Sequence, residues 1–150
     1  MKRVEKWRGE IPVTSQYTAG VGGQKSWAAL KRKGELLGTR CPSCAQVYLP
    51  ARLFCERCFA ELTEAVPVKP AGVVRSFTIC YVDPDDRQLE RPYALALVEL
   101  DGATTLILHR VLDVDDAAQI AIGSRVEVVL KPPSERLGSI LDIAGFRIIS

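Results

Sequence analysis

The chain has 150 residues, 47% of them hydrophobic and 25% charged, which is typical of a globular protein with one or two small domains. Its formal net charge of +2 hides two unlike halves, because residues 1–62 hold eleven Lys or Arg against five Asp or Glu, whereas residues 63–150 hold nine against thirteen. No run approaches the roughly 18 apolar residues that a bilayer span requires, and the N-terminus has no apolar signal core, so we expect a cytoplasmic protein without a membrane segment.

Residues 1–35 are predicted to form an extended arm followed by a short helix. Glycine and proline with little hydrophobic periodicity predict turns up to residue 25. Ser26 is a suitable N-cap for a helix over residues 27–33, and Gly34 is a suitable residue to end it. This arm and helix are expected to contact a partner.

The most informative motif is a pair of C-x2-C sequences, separated by ten residues, within the segment 36–62: Cys41, Cys44, Cys55 and Cys58. This spacing allows four thiolates to surround one tetrahedral Zn²⁺ at about 2.3 Å. The apolar stretch between the pairs is long enough for a short hairpin that returns the second pair to the first. We therefore predict a zinc ribbon over residues 36–62, with one structural zinc per chain. Four cysteine ligands leave no coordination position for a substrate, so this zinc is not expected to be catalytic.

The alternative for these cysteines is two disulfides, which would leave Cys80 unpaired in a chain without a secretory signal. Both pairs also depart from the commonest ribbon pattern, because Ala45 and Phe59 stand where glycine usually follows the second cysteine. A left-handed backbone at these places costs more without glycine. We therefore expect these turns to differ in detail from the common form.

Residues 63–150 show the alternation of β-strands and are predicted to form the second half of a mainly β chain. After a short passage, where Pro67 and Pro70 argue against a central strand, five strands are predicted. The strands are expected at residues 73–82, 93–100, 104–111, 125–130 and 140–149. Asp101-Gly102 is a hairpin signal, and one helical turn is expected before Gly123. This pattern fits a five-stranded OB-fold barrel over residues 63–150.

Five short motifs follow one another along the ribbon and the barrel: residues 38–44 (GTRCPSC), 47–50 (VYLP), 54–58 (FCERC), 92–93 (PY) and 122–126 (IGSRV). With the preceding arm and helix, they resemble the OB-fold zinc-ribbon family associated with acyl-CoA metabolism, formerly domain of unknown function 35. The resemblance covers nearly the whole chain and implies a rubredoxin-like ribbon. The family's helix usually carries a Phe-Phe pair, where this chain has Ser26-Trp27.

This resemblance implies a non-catalytic, zinc-containing accessory subunit of a thiolase-like complex, an acyl-CoA C-acyltransferase or aldolase. Such a subunit stabilises the catalytic chain and helps to form its CoA-ester binding region. The resemblance also implies a hetero-oligomer, in which we expect two copies of each chain. The acyl-CoA substrate stays open, as does the choice of thiolase, aldolase, acyltransferase or hydratase as partner.

Two groups of side chains are candidate contacts in such a complex. Basic residues in the last helical turn, Lys31, Arg32 and Lys33, are predicted to lie near the phosphates of CoA, the alternative being a solvated helix face. A permanent subunit needs an apolar, aromatic-rich surface. The alternative for these apolar side chains is that they fold back onto the ribbon or barrel. The apolar candidates on the arm and helix are Trp7, Ile11, Tyr17, Trp27 and Leu30.

Catalysis by this chain alone is not expected, because acyl transfer needs a nucleophile activated by a base. Cys80 and His109 both lie within predicted strands and are interpreted as structural. The alternative function is single-stranded nucleic-acid binding, which OB barrels and zinc ribbons perform as classes. Against it, the barrel half is acidic and its aromatic residues lie in apolar strand contexts, whereas such binding needs a basic groove with exposed aromatics.

Overall fold

The computed structural model describes residues 9, 11, 13–16 and 18–149, and in this part of the chain one α-helix precedes eight β-strands. In chain order these are α1 (Gly20–Lys33), β1 (Leu36–Arg40), β2 (Val47–Tyr48), β3 (Glu64–Val68), β4 (Ala71–Val82), β5 (Gln88–Leu100), β6 (Leu106–Val111), β7 (Arg125–Leu130) and β8 (Ile143–Ile148). The first three strands form an antiparallel sheet in the order β2-β1-β3, and the other five close a barrel in the order β4-β5-β6-β8-β7. The prediction of a mainly β chain with a ribbon before a five-stranded OB-fold barrel is confirmed.

The barrel interior is filled by side chains that alternate along each strand. On β5, Ala94, Ala96, Val98 and Leu100 are buried, while the residues between them are half-exposed. Larger side chains of β4 stand opposite the alanines, since Phe77 pairs with Ala96 and Ile79 with Ala94. Small and large residues thus interdigitate across neighbouring strands and fill a narrow barrel.

Helix α1 begins at Gly20, seven residues before the predicted start at residue 27. The predicted N-cap, Ser26, is instead a buried residue of the helix interior whose hydroxyl donates to the Leu37 carbonyl and accepts from the Ala51 N–H. Gly22 explains the glycine-rich start, because a Cβ there would lie 2.9 Å from the Ala51 carbonyl oxygen. Gly22, predicted as part of a turn in the arm, therefore allows the helix to approach the ribbon closely.

Gly34 ends the helix as predicted, with a left-handed φ of 71° and its N–H bonded to the Leu30 carbonyl. This placement leaves the basic last turn exposed to solvent. None of the helices within the described residues has the length and apolar character needed to cross a bilayer.

Strand β3 belongs to the ribbon's sheet, where the sequence predicted only a passage without regular pairing. It pairs with β1 over five positions, from Leu36↔Val68 to Arg40↔Glu64. Pro67 is tolerated because β3 is an edge strand of that sheet, so its missing N–H costs no ladder bond on the open side. The ribbon's sheet therefore extends past residue 62, into the segment that the sequence analysis grouped with the barrel.

The ribbon is joined to the barrel through two threonines that follow β5. The Val47 N–H donates to Thr104 Oγ1 at 2.9 Å, and that hydroxyl donates to the Val47 carbonyl at 3.0 Å. Thr105 repeats the arrangement with the N–H and carbonyl of Leu49, both at 3.0 Å. The edge of β2 that faces away from β1 is thus satisfied by hydroxyl groups of the barrel.

Candidate metal centre

Two short loops position the four cysteines, and they have matching hydrogen bonds. In the first zinc loop (residues 41–46) the Ala45 N–H donates to the Cys41 carbonyl at 3.0 Å, and in the second (residues 55–60) the Phe59 N–H donates to the Cys55 carbonyl at 2.9 Å. Ala45 has a φ of 58° and Phe59 a φ of 60°, so both loops keep the left-handed turn without glycine. The expectation that these turns differ from the common form is therefore wrong for the backbone. Each non-glycine residue there costs roughly 1–2 kcal/mol.

The four sulfur atoms converge on one point. All four Sγ atoms lie within 4.8 Å of one another. The Cys41–Cys58 and Cys44–Cys55 sulfurs are 3.4 and 3.5 Å apart, and Cys44 and Cys58 are separated by 3.8 Å. A tetrahedron with metal–sulfur bonds of about 2.3 Å has edges of about 3.8 Å, so these separations fit one Zn²⁺. A disulfide needs two sulfurs about 2.05 Å apart, so these longer separations favour a shared metal over two disulfides.

The four candidate ligands differ in their exposure to solvent. Cys41 and Cys55, the first cysteine of each pair, are buried in the ribbon core with Tyr48 and Leu62. Cys44 is half-buried and Cys58 is exposed. A bound zinc would therefore be covered on one side by the ribbon and would be accessible from the side of Cys58.

Tyr48 supports the buried side of the centre through a hydrogen bond that the sequence analysis missed. Its side chain is fully buried, and its hydroxyl lies 3.2 Å from Cys55 Sγ. This hydrogen bond lowers the pKa of the Cys55 thiol to about 6 and raises the pKa of Tyr48 to about 12. Tyr48 thus donates to Cys55 in the thiolate form that binds a metal, and so orients this ligand. The sequence placed Tyr48 only in an apolar stretch, because a contact between residues 48 and 55 depends on how the hairpin folds.

A buried threonine and an arginine hold the segment between the two pairs. The Thr39 hydroxyl accepts from the Arg52 N–H at 3.0 Å and donates to the Arg52 carbonyl at 3.1 Å. The Arg52 guanidinium lies over the Tyr48 ring, with Cζ 5.1 Å from the centroid. These contacts fix the path of the chain into Cys55 and cover the outer face of Tyr48.

The predicted partner contacts occupy different environments. Leu30 is 2% exposed and lies in the core, and Trp27 is half-buried against that core, so these two side chains fold back onto their own chain. Ile11 is 86% exposed. Trp7 and Tyr17 lie outside the described residues. The partner-contact role of the arm and helix stays a prediction. Leu30 is buried and is therefore not accessible for such a contact.

The remaining candidates lie apart from the cysteines. Lys31, Arg32 and Lys33 are exposed, as the prediction of a phosphate contact requires, and that contact stays a prediction. Cys80 is half-buried on β4, where it pairs with Tyr93 of β5. His109 points into the barrel, where its ring meets Phe146 edge-on at 6.2 Å and its Nδ1 accepts from the Arg110 N–H. Burial lowers the pKa of His109, in keeping with a neutral structural imidazole.

Comparison with known proteins identifies both halves of the fold. Residues 27–64 match the rubredoxin-like zinc ribbon domain of ChsH2, and residues 65–131 match the ChsH2 C-terminal OB-fold domain. With the four converging thiols, the ribbon match confirms one structural zinc.

Three archaeal relatives bear the name DUF35 domain-containing scaffold protein. The protein from Methanocaldococcus jannaschii is 30% identical over 71% of this chain and 75% of its own length. The one from Methanothermobacter thermautotrophicus is 26% identical over 74% of this chain and 83% of its own length.

Two solved structures share the fold. A DUF35 family protein of unknown function from Sulfolobus solfataricus has a TM-score of 0.64 at 22% identity, covering 86% of this chain and 84% of that chain. A chain of the Ltp2-ChsH2(DUF35) aldolase has a TM-score of 0.60 at 20% identity, covering 89% of this chain and 97% of that chain. The relatives and the two domain matches together show that the chain belongs to the DUF35 family.

Proposed function

We propose that the protein is a non-catalytic accessory subunit of a thiolase-like enzyme that acts on CoA thioesters. The observation that carries this proposal is the all-cysteine metal centre. Four thiolates saturate a tetrahedral zinc, so the ion has no free position for a substrate carbonyl or a water molecule. The metal that dominates the chemistry of this chain therefore serves its architecture, and the reaction is assigned to another chain.

The comparisons support this proposal from two sides. The relatives are named scaffold proteins, which is a role in assembly. The neighbour in the Ltp2-ChsH2(DUF35) aldolase is part of an enzyme with a second, differently named component. By analogy, this chain is proposed to stabilise a thiolase-like partner, with two copies of each chain in the complex.

The test is a native purification from the source cell, with mass spectrometry of the co-eluting chains. A thiolase-like chain in a fixed ratio, together with carbon–carbon bond cleavage or formation on a CoA ester, is the expected result. The same purification with the affinity tag alone is the control. Recovery of the chain without such a partner overturns the proposal.

The basic last turn of α1 suggests a contribution of this chain to the CoA site. Lys31, Arg32 and Lys33 are all exposed in this turn, and Lys33 Nζ lies 3.8 Å from a carboxylate oxygen of Glu35. We propose that this turn lies near the CoA phosphates in the complex. Replacing all three with alanine is then expected to raise the KM of the complex for its CoA ester without weakening the association of the subunits. Lys25→Ala, on the same helix, is the control, and an unchanged KM for the triple variant contradicts the phosphate contact.

The alternative function, single-stranded nucleic-acid binding, is disfavoured by the outer face of the barrel. OB folds hold nucleic acid on their second and third strands, which are β5 and β6 here. Outward positions on those strands carry Leu95, Leu97, Leu106 and Leu108, with Leu97 and Leu108 directly paired. Tyr93 lies nearby, but Arg110 covers its ring at 4.4 Å. A leucine surface offers no stacking platform for bases. A salt-sensitive shift of a labelled oligonucleotide at micromolar protein would restore this alternative.

A further inference from the structure

The two zinc loops form a matched pair within one chain. Each begins with a buried cysteine, contains two exposed residues and a second cysteine, and then turns through a left-handed residue. The first loop uses Pro42, Ser43 and Ala45 at its outward positions, so small side chains satisfy the geometry of the metal site. The second loop places Glu56, Arg57 and Phe59 at the equivalent positions. Any difference between the loops is therefore not required for binding the metal.

The largest difference is Phe59, which together with the exposed Leu53 and Phe54 just before the second loop we call the aromatic tip (Leu53, Phe54 and Phe59). Leu53 is 42% exposed, Phe54 62% and Phe59 81%. Phe59 also occupies a left-handed position that glycine would occupy without strain. A large aromatic side chain that is strained in its backbone and exposed to water does not stabilise this chain by itself.

We propose that the aromatic tip is an anchor that inserts into an apolar pocket on the catalytic partner subunit. This inference rests on the proposed function, because it names the surface through which the accessory chain holds its partner. Exposed aromatic residues are enriched among the few side chains that carry most of the affinity at protein interfaces.

The size and charge of the tip describe the kind of site that would hold it on the catalytic subunit. A stable interface buries roughly 800 Å² on each partner, which is more than three side chains supply, so the tip anchors one part of a larger contact. Arg52 pairs with Glu56, and Arg40 with Glu64, which leaves Arg57 and Glu61 as the exposed charges of this region without an ion pair among the described residues. A pocket with a carboxylate facing Arg57 and a basic group facing Glu61 at its rim therefore complements the tip.

Glycine substitutions in the two loops separate docking from structure. Phe59→Gly relieves the left-handed strain, so zinc content is expected to be unchanged and the melting temperature of the free chain equal or higher. Its affinity for the co-purified catalytic subunit is nevertheless expected to fall about 10- to 100-fold, as for loss of an interface anchor. Ala45→Gly makes the same backbone change in the first loop and is expected to leave the affinity unaltered.

Affinity is measured by letting each zinc-loaded variant compete with the tagged wild-type chain for the catalytic subunit in the purified complex. Phe54→Ala and Arg57→Glu are expected to weaken association in the same direction, whereas Ile122→Ala, another exposed apolar residue, is not. If wild-type protein binds the partner and Phe59→Gly binds equally well, the anchor is disproved and the proposed function stands. If wild-type protein binds no catalytic partner, both are overturned.

Discussion

The zinc loops and the barrel are stabilised by different means, although they are neighbours in one chain. The zinc loops share a small cluster of buried residues, namely Cys41, Tyr48, Cys55 and Leu62, so half of that cluster consists of metal ligands. The barrel is filled by apolar side chains such as Val74, Val98, Val126 and Phe146, none of which is exposed at all. The zinc loops are too small to fold on hydrophobic burial, so the metal replaces a core there.

Removal of zinc is expected to have the largest effect, and to have it on the zinc loops and not on the barrel. Cys55→Ser, or chelation of the wild-type protein, is expected to unfold the zinc loops while the barrel strands stay folded, because zinc binding supplies on the order of 10 kcal/mol in small zinc domains. Amide hydrogen exchange is the measurement, with loss of protection across residues 41–60 and retention across β5. Cys80→Ser is the matched control, since Cys80 lies outside the cluster. Loss of protection in both regions would show that they form one cooperative unit.

A cavity in the barrel tests whether the barrel can be destabilised without loss of zinc. Phe146→Ala removes a fully buried ring that also contacts His109, and it is expected to lower the free energy of unfolding by about 3–5 kcal/mol. Zinc content should not change. Urea unfolding with a zinc assay on the same samples provides the measurement. Leu141→Ala, a nearby exposed position, should change stability little, and zinc loss from Phe146→Ala would contradict the independence of the two regions.

Tyr48→Phe tests whether the protein tunes its metal site beyond the four thiols. The variant keeps the buried ring and removes only the hydroxyl that donates to Cys55. Loss of a hydrogen bond to a metal ligand is expected to reduce zinc affinity by about 10- to 100-fold, which competition with a coloured chelator can measure. Tyr81→Phe, on an exposed tyrosine, serves for comparison. Equal affinities in all three proteins would mean that the thiols alone determine zinc binding.

The smallest effect is expected at Asp142, a buried carboxylate in the barrel half that accepts hydrogen bonds from backbone N–H groups. Burial raises its pKa, but hydrogen bonds from the N–H groups of Leu137 and Gly138 outweigh this, and the pKa lies below its ordinary range. A carboxyl group with a lowered folded-state pKa stabilises the protein above its unfolded value of about 3.9, and this contribution is lost as pH falls through the folded-state pKa. Asp142→Asn should therefore cost about 1 kcal/mol at pH 7.

The difference between wild type and Asp142→Asn should shrink as the pH falls below about 4. Urea unfolding of both proteins at several pH values measures it. Zinc loss in acid affects both chains alike and so cancels in the comparison. A difference that stays constant with pH would show that the charge of Asp142 is not responsible.

The metal centre and the barrel could be predicted because both depend on patterns among residues that are close in the sequence. The spacing of Cys41, Cys44, Cys55 and Cys58 identifies one site, and alternation identifies each barrel strand. The start of α1 could not be predicted, because Gly22 is explained by its closeness to Ala51, which is distant in the chain. The hydrogen bond from Tyr48 to Cys55 and the burial of Leu30 depend on tertiary packing in the same way. Phe54 and Phe59 were visible as aromatic residues, but their exposure was not.

The threonine junction has a consequence for protein engineering. Hairpin loops usually tolerate inserted peptides, yet the segment after β5 carries Thr104 and Thr105, which hold the edge of β2. An epitope tag or a fluorescent reporter placed there would detach the ribbon from the barrel. The exposed turn between β4 and β5, around Asp85 and Asp86, has its hydrogen bonds within the turn itself. A label placed at this turn leaves the hydrogen bonds between the ribbon and the barrel in place.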